Sequence, residues 1–438
     1  MANSSMENKF PPAIPKSLLW LALLSLFLQV TMIGVFREYR TRPGDDHFAF
    51  GWEMGRVARS LALGQGFSNP YGGATGPTAW EPPLYPYVMA GVFKIFGIYT
   101  QASAWILLSM NSLFAALTTI PIFLAAHKIF GERTARWSAW AWALNPYIWY
   151  WSIHWIWDTT FTPLVLSLIF LLSLELQDWR GFRGWTGFAV LWGAGALANP
   201  SMLAFLPFCG LWIWRQRYRR GLPSIAGIVL SSAVFFLVLS PWLVRNYEVF
   251  GRFVFLRDDF GLQLRLGNNK MADGMLVAAL QPNLNQLEFD KFQRMGELAY
   301  SADCKRLAWQ WIRDNPGRFA LISLKRFVYY WNGVPKPTGS LAPFDFRNSL
   351  FLAWSVLSLC GAARAVRQKV RAAWLFAGLL LAYPAAYYFV FPHARYRHPI
   401  EPELTILAVY LLLQAGRKSA QTLNSPLSSG DRFHHPSS

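Results

Sequence analysis

Carboxylates gather in one polar stretch, Arg37 to Tyr87, between two apolar runs. Glu38, Asp45, Asp46, Glu53 and Glu81 all fall within it, and it ends in Trp80-Glu81-Pro82-Pro83-Leu84-Tyr85-Pro86-Tyr87. A carboxylate beside an apolar boundary is suited to accept a proton from an attacking hydroxyl or amide. Glu53 lies in Trp52 to Leu63, which has helical periodicity, so a rigid element would position it. An ion pair with Arg56, three residues on, weighs equally. Asp45 and Asp46 follow Gly44 and precede His47, which fits a metal-binding trio, a solvated turn or a helix cap. Glu81 is held between Trp80 and Pro82, and proline restricts the backbone before it. Tyr85 follows as a candidate substrate contact. Plain surface exposure is the competing reading for Glu81.

Asp158 stands at the edge of an apolar run among Trp151, His154, Trp155 and Trp157. An acid there is costly unless it is paired or lines a polar cavity. His154, four residues earlier, is its expected partner. Arg245, in Pro241-Trp242-Leu243-Val244-Arg245, and Arg395 with Arg397, in His393-Ala394-Arg395-Tyr396-Arg397-His398-Pro399, are candidates to hold a leaving phosphate. Snorkelling to lipid headgroups is the alternative for any one arginine. No zinc-ligand spacing occurs and nothing requires a cofactor, while a divalent metal stays open. Cys209, Cys304 and Cys360 are scattered, which points away from a disulfide framework.

The elements that must position these residues are membrane helices. Of the 438 residues, 54% are hydrophobic and only 15% charged, too little charge to cover a soluble domain of this size. The net charge of +18 raises nucleic acid as a partner, but no nucleic-acid motif accompanies it, and basic ends of membrane spans explain much of it. The pattern predicts an all-α polytopic membrane protein with about ten spans and both termini cytoplasmic. Residues 1–16 form the N-terminus, 17–415 the membrane domain and 416–438 a disordered tail. The first outer loop, 37–101, carries interfacial helices, and a larger outer loop, 245–347, follows the seventh span. Trp137 to Trp151 reads as one span, Trp185 to Trp214 as a hairpin broken at Asn199-Pro200, and Leu404 to Leu413 as the last span. In the large loop, Leu287 to Trp311 reads as one helix and Phe319 to Trp331 as an interfacial one.

Several short motifs, in order, resemble a known set: Ala58-Arg59-Ser60-Leu61-Ala62-Leu63-Gly64-Gln65-Gly66-Phe67, Pro82-Pro83-Leu84-Tyr85-Pro86-Tyr87, Leu197-Ala198-Asn199-Pro200, Arg245-Asn246-Tyr247, Gly267-Asn268-Asn269, Asn315-Pro316-Gly317-Arg318-Phe319 and Arg395-Tyr396-Arg397-His398-Pro399. Through them the chain resembles the GT-C superfamily of membrane glycosyltransferases. The likeness is to bacterial relatives of the dolichyl-phosphate-mannose protein mannosyltransferases and of the lipid A aminoarabinose transferase. The resemblance implies a polyprenyl-phosphate sugar donor, a lipid, glycan or protein acceptor, and inverting transfer at the outer face of a bacterial inner membrane. It also implies a catalytic Asp in the first outer loop. Aligning on Ala58, Leu61 and Gly64 places Phe50 at that position, so the role passes to Glu53, with Asp46 next.

Two other classes compete. A transporter or flippase of lipid-linked sugars would show inverted repeats and polar sites at mid-membrane, whereas the charges here gather in outer loops. A non-catalytic envelope-assembly protein would tolerate Phe50.

Overall fold

Apolar runs become helices here wherever asparagine, proline or glycine does not interrupt them, and the interruptions decide the architecture. The computed structural model describes residues 14–40, 50–179, 181–335 and 346–423. Asp45 and Asp46 lie outside the described residues, as does most of the tail expected to lack structure. The last helix, Glu401–Leu423, runs past residue 416 into that tail. Among the described residues the regular structure is helical, apart from a single isolated bridge between Ser68 and Pro77.

Among the described residues, four helices are long and apolar enough to cross a membrane: Lys16–Phe36, Gln101–Phe130, Ile225–Phe250 and Asn348–Arg367. Leu84–Phe96, Phe161–Leu176 and Ala373–Phe389 are apolar but shorter. The protein is thus an all-α polytopic membrane protein, and the expectation of about ten spans is corrected. The reason is local. The run expected as one span over Trp137 to Trp151 folds as Glu132–Ala143 and Pro146–His154. Between them the Asn145 side chain accepts the Tyr147 N–H and Pro146 opens the second helix, a stop and restart written into Asn-Pro. Asn199-Pro200 does the same between Phe182–Ala198 and Leu206–Tyr218, through a short 3-10 turn, as the sequence predicts. The segment expected as the last span, Leu404 to Leu413, lies within the helix Glu401–Leu423, whose first turn carries two buried glutamates, Glu401 and Glu403.

The large outer region folds as helices packed on one another. Gly296, at φ 75°, divides the expected single helix over Leu287 to Trp311 into Gln286–Met295 and Glu297–Asp314. Phe260–Gly267 lies against Glu297–Asp314 so closely that a Cβ on Gly261 would come within 2.0 Å of the Ser301 carbonyl oxygen. The segment Phe319 to Trp331, with Lys325 and Arg326 in its middle, was expected at the interface; it lies in the helix Pro316–Asn332, where Arg326 is fully buried. Its guanidinium donates to the carbonyls of Gly267 and Phe389 and to Asn268 Oδ1 (3.1 Å). Gly267 and Phe389 end the helices Phe260–Gly267 and Ala373–Phe389, whose last carbonyls have no partner within the helix. A positive charge at two helix C-termini is stabilised by their dipoles. Lys325 was grouped with Arg326 by position; only Arg326 turned inward.

Candidate active site

Three chain segments far apart in sequence bring carboxylates together. Glu53 opens the helix Glu53–Ala62. Gly51 precedes it at φ 73°, and a Cβ there would meet the Ile156 carbonyl oxygen at 2.7 Å. That close approach, open only to glycine, seats the start of the helix against the loop carrying Asp158. Asp158 is buried between Pro146–His154 and Phe161–Leu176. Its Oδ2 accepts from Thr162 Oγ1 at 3.1 Å and from Asn199 Nδ2 at 3.3 Å. Glu81 is buried in the turn before Leu84–Phe96. A fourth acid, Asp259, buried just before Phe260–Gly267, completes the group.

Two arginines answer them. Arg257 pairs with Asp259, places Nη2 3.9 Å from Glu81 Oε2, and donates from Nε to the Trp80 carbonyl at 3.2 Å. Arg395 lies with its guanidinium carbon 3.9 Å from the centre of the Trp157 ring, a cation–π contact beside Asp158. The mutual influence of these groups runs through all three segments. Burial raises the Glu53 carboxyl, against the pull of its own backbone N–H, Arg56, Arg395 and Arg257. Burial likewise raises Asp158, with Arg395 the leading opposing charge, and Asp259, with Arg257 opposing. Glu81 is pushed to about 8 by burial, with Arg257 lowering it and Glu53, Asp259 and Asp158 raising it further. Burial alone would lower both arginines, but the acids around them reverse it: Asp259 and Glu81 for Arg257, Asp158 and Glu81 (after Tyr396) for Arg395. Burial of four acids beside so few guanidiniums raises the cost of ionising them all, and each carboxyl is shifted upward accordingly. Such an arrangement can accept a proton at one carboxylate while its cations face an anion.

Residues 80–244 match the family described as dolichyl-phosphate-mannose-protein mannosyltransferase. The archaeal oligosaccharyltransferase AglB from Archaeoglobus fulgidus, solved with an inhibitory peptide and a dolichol-phosphate, superposes with a TM-score of 0.54 at 14% identity, covering 95% of this chain and 53% of that one. The apo form of the Archaeoglobus fulgidus oligosaccharyltransferase gives 0.52 at 12% identity over the same shares, 95% and 53%. ArnT from Cupriavidus metallidurans, bound to undecaprenyl phosphate, covers 95% of this chain and 81% of its own at 12% identity, but its TM-score of 0.36 is too low to argue from. No curated protein matches the chain. The fold is that of the GT-C membrane glycosyltransferases. The chain spans about half the length of the solved oligosaccharyltransferases it matches.

On this GT-C frame the residues singled out from the sequence divide. Glu53, Glu81, Asp158 and Arg395 come together. Tyr85 is buried, and its hydroxyl donates to Asn111 Oδ1 at 2.8 Å while Asn111 Nδ2 donates to the Trp155 carbonyl at 2.7 Å. It braces the loop that carries Asp158. His154 does not pair with Asp158: its Nε2 lies 3.1 Å from Glu38 Oε1. A spacing of four residues brings side chains together only where the helix continues, and this one ends at His154. Arg245 donates to the carbonyls of Thr78 (2.7 Å) and Phe67 (2.8 Å) and stacks over Trp242, which ties down the first outer loop. Arg397 is buried, pairs with Glu401 at 2.5 Å and reaches Ser355, inside the helix packing and not toward the acids.

Phe50 is fully buried, packed edge-on against Phe93 and tilted on Tyr99 in an apolar cluster with Met54 and Tyr85. The position where the resemblance puts an acid is therefore core in this chain. Sequence reasoning missed Arg257 and Asp259. The visible signal was the charged triplet Arg257-Asp258-Asp259 directly after the apolar run Phe253-Val254-Phe255-Leu256. Among the described residues, no group of three or more His, Cys, Asp or Glu side chains could hold a metal ion.

Proposed function

We propose that this protein is an inverting glycosyltransferase that moves a sugar from a polyprenyl-phosphate donor to an acceptor at the outer face of the membrane. The observation that carries the reading is the convergence, within a GT-C fold, of carboxylates from three segments with the Arg257 and Arg395 guanidiniums. Glu53 serves as the base, because it is the most open of Glu53, Glu81 and Asp158 and has a raised affinity for a proton. It takes the proton of the acceptor hydroxyl or amide as that group attacks the anomeric carbon. The carbon–oxygen bond to phosphate breaks, and the departing polyprenyl phosphate keeps the electron pair, held by Arg257 and Arg395. Glu81 and Asp158 contact sugar or acceptor. Asp46, seven residues before Glu53 in the sequence, is the alternative base that the experiment below separates from it.

The orientation follows from charge. Arg220 lies within electrostatic reach of Arg371, so two basic loops share one end of the bundle, which suits a cytoplasmic side in a bacterial inner membrane. Both termini are assigned to that side.

The test is transfer of labelled sugar from a panel of polyprenyl-phosphate donors by purified, reconstituted protein. Glu53→Gln should lose about 100-fold or more in kcat while keeping donor binding. Loss confined to Asp46→Asn would move the base into the loop. A folded wild-type protein that neither binds nor uses any donor would refute the reading.

A further inference from the structure

The segment that delivers Glu81 has no helix or strand to satisfy it, yet it is buried: Thr78 and Ala79 are fully inaccessible and Trp80 is nearly so. Buried irregular backbone must find a partner for every N–H and C=O. Here each one is accounted for. The Thr78 N–H donates to the Phe67 carbonyl at 3.1 Å, and the Thr78 carbonyl accepts from Arg245 at 2.7 Å. The Ala79 N–H donates to Glu297 Oε1 at 2.6 Å, and the Ala79 carbonyl accepts the Asp258 N–H at 3.0 Å. The Trp80 N–H donates to Thr78 Oγ1 at 2.9 Å, and the Trp80 carbonyl accepts from Arg257 Nε at 3.2 Å. The Thr78 hydroxyl in turn donates to Glu297 Oε2.

Glu297 is thus joined to two successive backbone amides, one directly and one through the Thr78 hydroxyl. It is itself buried, and it opens the helix Glu297–Asp314, which is locked against Phe260–Gly267 by the Gly261 contact. Its carboxylate touches no member of the acid–arginine group, and neither the fold nor the reaction assigns it a task. A buried carboxyl committed to a loop one residue short of Glu81 is an expensive fixture unless the loop's place matters.

We propose that Glu297 is a positioning residue: from the large outer region it fixes the backbone of Thr78–Trp80 and so the place of the Glu81 carboxyl. The role of Glu81 in transfer rests on the function proposed above, whereas the placement of Glu81 does not. What Glu297 supplies is two hydrogen-bonding atoms at the right separation, and its charge is not required. A glutamine meets most of that need: its oxygen accepts the Ala79 N–H and its NH2 donates to Thr78 Oγ1 in place of the bond that the hydroxyl donates to Glu297, with the Trp80 N–H still accepted by Thr78 Oγ1. Alanine leaves the Ala79 N–H buried without an acceptor.

The experiment uses the full-length protein in detergent and in vesicles, with two readouts. The first is labelling of Glu81 by a hydrophobic carbodiimide, which attacks neutral carboxyls, read by mass spectrometry at neutral pH. Wild type and Glu297→Gln should label alike, and Glu297→Ala should label about tenfold more slowly as Glu81 is released toward water and ionises. The second is transfer kinetics. Glu297→Ala should lower kcat by about 100-fold with a smaller change in donor KM, and Glu297→Gln should restore most of it. In a Glu81→Gln background, Glu297→Ala should cost little more, because it acts through Glu81. Thr78→Val, nearly isosteric, removes the relay to Trp80 and should move both readouts the same way even where Glu297→Ala folds poorly. Gln and Ala variants that behave alike, or losses that multiply with Glu81→Gln, would overturn the proposal. Expected labelling in a wild-type protein that transfers no sugar would instead remove the function and leave the placement standing.

Discussion

Removing Arg326 should unfold the outer region before it touches any reacting group. Burial lowers its guanidinium to about 10, with Asp273 opposing, so it stays charged at neutral pH without an ion pair to a carboxylate in direct contact. Its counter-charges are the ends of Phe260–Gly267 and Ala373–Phe389. In Arg326→Met the Phe389 carbonyl keeps a donor, because Asn268 Nδ2 lies 2.9 Å away. The Gly267 carbonyl and Asn268 Oδ1 lose theirs. Two buried acceptors left without donors cost roughly 2–6 kcal/mol, and relief from burying a guanidinium returns part of that, for a net loss of about 2–4 kcal/mol. Arg326→Lys keeps the charge but cannot bridge two helix ends, so it should fall between. Thermal unfolding in detergent, followed by tryptophan fluorescence, measures the loss. The loops bearing Arg257 and Arg395 flank the two capped helices, so donor binding should weaken alongside stability. A melting point for Arg326→Met within about 1 °C of wild type would refute the capping argument.

Two further predictions concern the acids. Glu81 is raised from 4.5 to about 8 in the folded protein, which therefore holds a proton that the unfolded chain releases. Its contribution to stability is complete below about pH 4.5 and is lost as pH rises toward 8, at about 1.4 kcal/mol per pH unit for an uncoupled group. Glu81→Gln should flatten that decline in a series of melting curves, and an unchanged slope would place the proton on another carboxyl of the group. Phe50→Asp restores an acid where the resemblance expects one, but it puts a carboxylate among Phe93, Tyr99 and Tyr85. It should melt well below wild type and should not rescue transfer in Glu53→Gln; recovered activity there would count against Glu53 as the base.

The helical membrane character was legible because it rests on composition, which acts locally, and the GT-C likeness because a series of short motifs in order carries the resemblance. The Asn199-Pro200 break was read correctly because turn residues also act locally. What failed depended on long-range contacts. His154 and Asp158 have a helical spacing, but the helix ends between them, and nothing local says that Glu38 is nearer. Arg245 and Arg397 look like phosphate ligands by type and by apparent position, and only the packed structure reveals that one ties down a loop and the other neutralises Glu401. Hydropathy also overcounted spans, since it sums over residues and does not register that an Asn-Pro pair restarts the helix.

Under the function proposed above, the acid expected at position 50 stands at Glu53 instead, and the local backbone offers a physical route for that shift. Position 50 faces Phe93 and Tyr99, and Gly51 and Trp52 both take positive φ, so the chain turns sharply before the helix begins. An acid on the far side of that turn leaves the apolar cluster and enters electrostatic reach of Arg395 and Arg257. The first residue of a helix is also where a carboxylate gains from the free N–H groups and the dipole. In the proposed inverting transfer the base must reach the acceptor on the face of the sugar opposite the phosphate, and the turn at Gly51-Trp52 would supply a second place for such a carboxylate. The aromatic at position 50 then serves as the wall that holds the turn in place.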